Sequence, residues 1–249
     1  MSLSDQFLGA RTAGGEFATT HWSVVLLAGR EHSPQSEAAM EALCRAYWYP
    51  LYSFTRRQGN SPHEAADLTQ EFFLHLLSTN ALASVGSEKG KFRSFLLASL
   101  KNLLANEWHR ARRQKRGGGV APISLDESLA EGRYQQELAE DSTPDAAFDR
   151  RWAETILGRA LDRLRQECDG PEKSRRFDEV KVFLLGEKGP HSLANAAGRL
   201  NLSLPAVKGL VHRLRRRFRE IIREEIAQTV SRPEDIDDEI RHLFAAFGA

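Results

Sequence analysis

Apolar side chains in this chain return every third or fourth residue through almost every long segment, and they rarely alternate with polar ones over the length of a strand. A period near 3.6 belongs to helices, because it keeps one stripe of side chains on one face. The only strand-like run is residues 24–27. The pattern therefore predicts an all-α protein. The stripes are Met40, Leu43, Cys44, Tyr47, Leu51 and Phe54, then Leu68, Phe72, Phe73, Leu76 and Leu77, then Phe92, Leu96, Leu100 and Leu103. Further along they are Phe148, Trp152, Ile156, Ala160 and Leu164, then Phe177, Val180, Phe183 and Leu184, then Val207, Val211, Leu214, Phe218 and Ile221 or Ile222.

Local signals punctuate these helices. Thr20 is a candidate cap for a short helix from His21, with Trp22, Val25 and Leu26 turned inward. Pro50 lacks the amide proton a continuous helix uses, so it predicts a kink or a restart. Ser61, Pro62 and Glu64 read as a capping box with proline at the first helical position. Asn201 and Leu202 read as a tight turn, since asparagine tolerates the left-handed conformation, and Ser203 reads as the cap of the next helix.

Five segments follow. Residues 1–35 form an N-terminal extension, and 36–116 a first helical domain. Residues 117–145 hold three glycines, many acidic groups and few periodic anchors, which predicts a flexible acidic linker. Residues 146–228 form a second helical domain, and 229–249 an extension. Its Ile236, Ile240, Leu243, Phe244 and Phe247 predict one more helix. The acidic face of that helix would pack back on a basic helix and restrain nucleic-acid binding, or the helix would only add stability.

Formal net charge is +1, yet the signs are segregated. Residues 110–116 carry five basic side chains and no acidic ones, whereas residues 124–149 carry eight acidic ones and one arginine. Segregation of this kind says more about partners than the sum does. Two helical segments concentrate the positive charge: KNLLANEWHRARRQKR, and LPAVKGLVHRLRRRFREIIREE about a hundred residues later. The second follows a short helix rich in small residues, the spacing of a helix-turn-helix. Its early exposed positions, Ser203, Pro205, Lys208, Gly209 and His212, would lie nearest base edges. Arg213, Arg215, Arg216, Arg217 and Arg219 would mainly reach phosphates. The first basic helix mixes charge with Phe95, Asn102, Asn106, Trp108 and His109, a set suited to stacking on and reading unpaired bases. Arg110, Arg112, Arg113, Lys115 and Arg116 would hold the backbone. The alternative for both helices is a solvated basic face, with Phe95 and Trp108 in the core.

Other chemistries find little support. Cys44 and Cys168 belong to no metal or disulfide pattern, and buried thiols are the simplest reading. No metalloprotease motif, phosphate loop or dinucleotide fingerprint occurs, so neither an enzyme nor a cofactor is expected. The longest strongly apolar run, residues 24–28, is far too short to span a membrane. The first residues do not read as a signal peptide. A cytoplasmic protein is expected.

Three stretches in order resemble a bacterial RNA polymerase sigma factor of the extracytoplasmic-function type. EAADLTQEFFLHLL resembles the helix that binds core polymerase. KGKFRSFLLASLKNLLANEWHRARRQKR resembles the helix that opens and reads the minus-ten element. HSLANAAGRLNLSLPAVKGLVHRLRRRFREII resembles the helix-turn-helix that reads the minus-thirty-five element. The resemblance covers roughly residues 36–116 and 146–228. It assigns Asp67, Gln70 and Glu71, with Leu74 beside them, to the polymerase face. Phe92, Arg93 and Phe95 match the start of the promoter-opening helix, and Asn102 and Asn106 its polar positions. Val207 and Lys208 match the recognition helix, where Gly209 and Leu210 replace the serine and arginine frequent in the family. Both terminal extensions resemble those of a divergent branch. The partners implied are bacterial core RNA polymerase and promoter DNA, with an anti-sigma factor as a further candidate. Two other classes stay open: a stand-alone helix-turn-helix regulator, which would bind duplex DNA without polymerase, and a helical scaffold for partner proteins or RNA.

Overall fold

A computed structural model describes residues 34–78, 91–111, 127–137, 142–185, 192–230 and 232–248. All named elements among them are helical, as the periodicity predicts: α1 (Pro34–Arg57), α2 (Pro62–Ser78), α3 (Phe92–Ala111), α4 (Glu127–Glu137), α5 (Pro144–Glu167), α6 (Pro171–Val180), a 3₁₀ turn (Lys181–Phe183), α7 (Leu193–Leu200), α8 (Leu204–Ala227) and α9 (Asp235–Ala245). The expected N-terminal helix near His21 and the glycines at 117–119 lie outside the described residues.

Helix α1 runs without a break through Pro50, which is buried. The missing amide is tolerated because Tyr47, Leu51 and Phe54 on either side are fully buried and hold the helix by packing. The chain leaves α1 at Gly59, whose φ of +93° suits glycine. Asn60 Nδ2 donates to Thr55 O at 2.9 Å and satisfies an end carbonyl. The capping box forms as read: Ser61 N donates to Glu64 Oε2 at 2.9 Å, and Glu64 N donates to Ser61 Oγ at 3.3 Å. These bonds from Ser61 hold the Glu64 carboxyl below its usual range.

Helix α5 is the hub, packing on α1, α8 and α9. Thr143 caps it, accepting from Ala146 N at 3.2 Å, and Pro144 starts it. All five residues of its predicted stripe are buried. Trp152 is fully buried and its Nε1 donates to Tyr47 OH at 3.1 Å, tying α5 to α1. Desolvation in that core pushes the Tyr47 phenol well above its ordinary value. The main apolar cluster is continuous from α1 through α5 to α8 and α9. A smaller cluster of Val180, Phe183, Ala196, Ala197, Val207 and Val211 fastens α7 to α8 and to the 3₁₀ turn.

One part of the expected linker is corrected. Residues 127–137 form α4, docked on α1 and α2. Ala130 and Tyr134, one turn apart, are buried. Between them Glu131 accepts from Arg56 Nε and Nη2, both at 2.9 Å, and from Tyr52 OH at 2.6 Å. Three anchors within five residues suffice to fix a short helix against a larger body.

Cys168 is the C-cap of α5, half-buried and free, and burial raises its thiol. The Cys44 side chain lies outside the described residues.

Candidate nucleic-acid and protein interfaces

The geometry of α7 and α8 grows from a three-residue turn. Ser192 caps α7, accepting from Asn195 N at 3.1 Å. Asn201 adopts φ 52° and ψ 44°, the left-handed conformation its side chain tolerates. Leu202 N then reaches back to Ala197 O at 3.0 Å, and Leu202 packs against the small cluster, closing a Schellman-type end. Ser203 caps α8, accepting from Ala206 N at 3.4 Å, with Pro205 in the first turn. Ala196 and Ala197 are buried, so the small side chains of α7 let α8 approach closely.

Helix α8 then divides by face and by length. Val207, Val211, Phe218, Ile221 and Ile222 are buried. Pro205, Lys208, His212, Arg213 and Arg216 are exposed, and no acidic residue interrupts the sequence from 204 to 219. Lys208, His212 and Arg213 form no ion pair with any described residue. Among the described residues Arg216 pairs with Glu220 alone, at 3.7 Å and largely in solvent. Four basic or polar side chains, Lys208, His212, Arg213 and Arg216, on one solvated face backed by an apolar one fit the backbone of a duplex.

Other expected contact residues are used inside the fold. Arg215 Nε and Nη2 donate to Phe183 O at 2.9 and 2.6 Å, so this guanidinium holds the 3₁₀ turn rather than facing out. The Ser203 hydroxyl is the helix cap. Arg217 is held by Glu167 at 2.7 Å through both Nε and Nη2, with Glu224 at 3.0 Å and Glu220 at 3.3 Å. Those carboxylates, Glu167 first, raise its pKa further. Gly209 and Arg219 are half-buried. A side chain at Gly209 would meet the Arg213 guanidinium at an ordinary contact distance, so glycine is not sterically required there.

The first basic helix is arranged differently. Phe92 is fully buried, its ring edge-on to Tyr47 at 5.1 Å. Phe95 is half-buried and packs on the core beside Phe92. Arg93 is buried as well. Its Nε donates to Glu239 at 3.0 Å and its Nη1 to Asp149 at 2.6 Å, and its guanidinium lies 5.0 Å over the Trp152 ring. Three expected nucleic-acid contacts at the start of α3 are thus corrected in this arrangement: two are in the core or internal ion pairs, and one is half covered. Asn102 is exposed. Lys101, which the sequence reading did not single out, is exposed beside it and pairs with Asp145. The side chains of Asn106, Trp108, His109 and Arg110, and residues Arg112, Arg113, Lys115 and Arg116, lie outside the described residues.

The third surface is on α2. Ala65, Ala66, Thr69, Phe72, Phe73 and Leu76 turn inward. Asp67 and Glu71 are exposed, one turn apart, with Gln70 and Leu74 half-buried beside them. His63 Nε2 lies 3.5 Å from Asp67 at the surface. This is a ridge with two exposed carboxylates, suited to a basic partner protein.

Among the described residues there is no group of three or more histidine, cysteine or acidic side chains that could hold a metal ion, and no helix long and apolar enough to cross a membrane.

Residues 43–114 match the family model for Sigma-70 region 2. The matched segment runs from the middle of α1 through α2 and α3, so it carries the α2 ridge and the first basic helix, and it supports a sigma factor of the sigma-70 family. No curated protein and no solved structure matches the chain.

Proposed function

We propose that this chain is a sigma factor of the extracytoplasmic-function type that carries core RNA polymerase to promoters. The observation that carries the reading is the region 2 match over residues 43–114, within which Asp67 and Glu71 stand exposed on α2. In this reading the α2 ridge docks on polymerase through Asp67, Gln70, Glu71 and Leu74. The basic end of α3 takes the non-template strand as the duplex opens. Helices α7 and α8 act as a helix-turn-helix on the minus-thirty-five element, with Lys208, His212 and Arg213 nearest the DNA. The divergent branch accounts for the terminal extensions. The work is recruitment and positioning, without catalysis by the chain and without metal or cofactor, and it belongs in the cytoplasm. An anti-sigma factor is a further candidate partner of the reading.

The test is transcription in vitro over a genomic-fragment library, with purified chain and bacterial core polymerase lacking sigma. Specific starts that vanish on Asp67→Lys with Glu71→Lys support the reading. Duplex binding without polymerase association would replace it with a stand-alone regulator, for which the open α8 face is the specific support. Absence of both would favour a scaffold.

A further inference from the structure

The carboxylates that bury Arg93 come from far along the chain, and they converge on one point. Glu239 on α9 is almost wholly buried and stands between two cations at the start of α3, 3.0 Å from Arg93 Nε and 3.2 Å from Lys91 Nζ. Its neighbour Asp238 pairs with Lys91. Asp149 on α5 takes the other edge of Arg93, and His242 on α9 lies 3.0 Å from that same carboxylate. The main chain adds two ties: Phe92 N donates to Thr229 O at 3.1 Å, and Lys91 and Val230 form an isolated antiparallel bridge. Ile236, Ile240, Leu243 and Phe244 hold α9 in the core beneath these contacts. On α8 the tail touches Arg223, far from the open face of Lys208 and Arg213, so it leaves that surface uncovered.

From this geometry we infer that α9 is a latch closed over the start of α3: its carboxylates occupy Lys91 and Arg93 and keep them from the phosphates of an opened strand. The inference rests on the sigma reading of α3 as the strand-capturing helix. The physical basis is substitution of one anion for another. In the closed form the buried Glu239 carboxylate is shared by Lys91 and Arg93, and the exposed Asp238 adds a second contact to Lys91. Nucleic-acid phosphates can replace them only when α9 lifts, so strand capture and the closed form exclude one another. A partner that binds the open form better than the closed one shifts the population by its difference in affinity. The opened strand itself supplies such a difference, since its phosphates reach Lys91 and Arg93 only in the open form. The device leaves duplex contact through α8 available throughout and gates the opening step alone.

The test holds α9 closed covalently. In the full chain, with Cys44 and Cys168 changed to serine, Arg223→Cys and Asp237→Cys, at positions that pair across α8 and α9 and leave Lys91 and Arg93 intact, are linked by a short bis-maleimide. The comparison is the same protein with both thiols capped singly. Core polymerase binding and starts on the genomic library are measured for both. The expected result is equal polymerase binding, with starts at least tenfold fewer for the linked protein. A separate variant, Glu239→Gln, is expected to give more starts than the parent. Equal starts from linked and capped protein would overturn the latch and leave the sigma reading intact. Loss of polymerase binding on linking would overturn the assignment to strand capture. No binding and no starts with the parent chain would remove the sigma reading, and the latch with it.

Discussion

The starts of α3 and α8 are both basic and both expected from the sequence to meet nucleic acid, yet they are opposites in the folded chain. At α3, Arg93 is buried among Glu239, Asp149 and Trp152. At α8, Lys208, His212 and Arg213 face solvent and form no ion pair among the described residues. A guanidinium can be buried only if paired, so the fold must bring acids to Arg93, and it draws them from residues 56 and 146 positions later. Availability of a cation is therefore a tertiary property. The same local charge pattern yields a closed contact in one place and an open surface in the other.

The sharpest way to break this comparison is Glu239→Ala. It leaves Arg93 buried with Asp149 alone and is expected to cost about 3–5 kcal/mol of stability, the range for removing one partner of a buried pair. Urea unfolding measures it. A cost as small as that of a surface substitution would mean the two helix starts do not differ in kind.

The Arg56–Glu131 pair sharpens the comparison with a second internal contact, on α4. The Arg56 guanidinium, aided by the Tyr52 hydroxyl, holds the Glu131 carboxyl at about 2, below its ordinary 4.5. A depressed folded-state value stabilises above the ordinary range and loses that contribution as pH falls toward the folded value. The urea-midpoint advantage of the parent over Glu131→Gln should be full at neutral pH, shrink below about pH 4.5 and vanish near pH 2. An advantage independent of pH would show that α4 is not held by this ion pair.

At the α7–α8 turn, effects become smaller and local. Asn201→Val puts a β-branched side chain at positive φ and should cost about 1–2 kcal/mol, whereas Asn201→Gly should be nearly neutral. Ser203→Ala removes one cap bond, for about 1 kcal/mol. If valine and glycine at 201 unfold at the same urea concentration, the left-handed turn is not what sets the approach of α7 to α8.

These differences also explain what could be read in the sequence. The capping box at Ser61 and Glu64, the turn at Asn201 and the cap at Ser203 were legible because each depends on neighbours three or four residues away. The inward stripes of α5 and α8 were legible because helical period fixes a face, and the same period puts Asp67 and Glu71 on the outside of α2. Phe247 shows the limit: the stripe places it inward, but it follows the end of α9 and is 37% exposed, with the Arg150 guanidinium 5.9 Å from its ring. Helix α4 was hidden because its acidic composition reads as linker and its anchors are only Ala130, Glu131 and Tyr134. Burial of Arg93 had no local signal at all. The apolar stripe of the tail predicted a helix and left open whether its acidic face packs on a basic helix or the helix only adds stability; nothing in it named the start of α3 as its neighbour.

Lys208→Ala gives the smallest expected change in stability and so separates folding from binding most cleanly. Its side chain is exposed and unpaired among the described residues, so removing it should shift stability by no more than about 0.5 kcal/mol. If Lys208 neutralises one phosphate, the logarithm of duplex affinity should fall less steeply with the logarithm of salt concentration, by about 0.9 in slope. Anisotropy titrations of a labelled duplex at several salt concentrations measure that slope. Arg215→Ala is the matched control from the paired class. Its guanidinium holds Phe183 O, so it should lower stability and leave the slope nearly unchanged. If instead Arg215→Ala flattens the slope and Lys208→Ala does not, the assignment of open and occupied cations on α8 is reversed, and the face presented to DNA must be the one that now packs on the 3₁₀ turn.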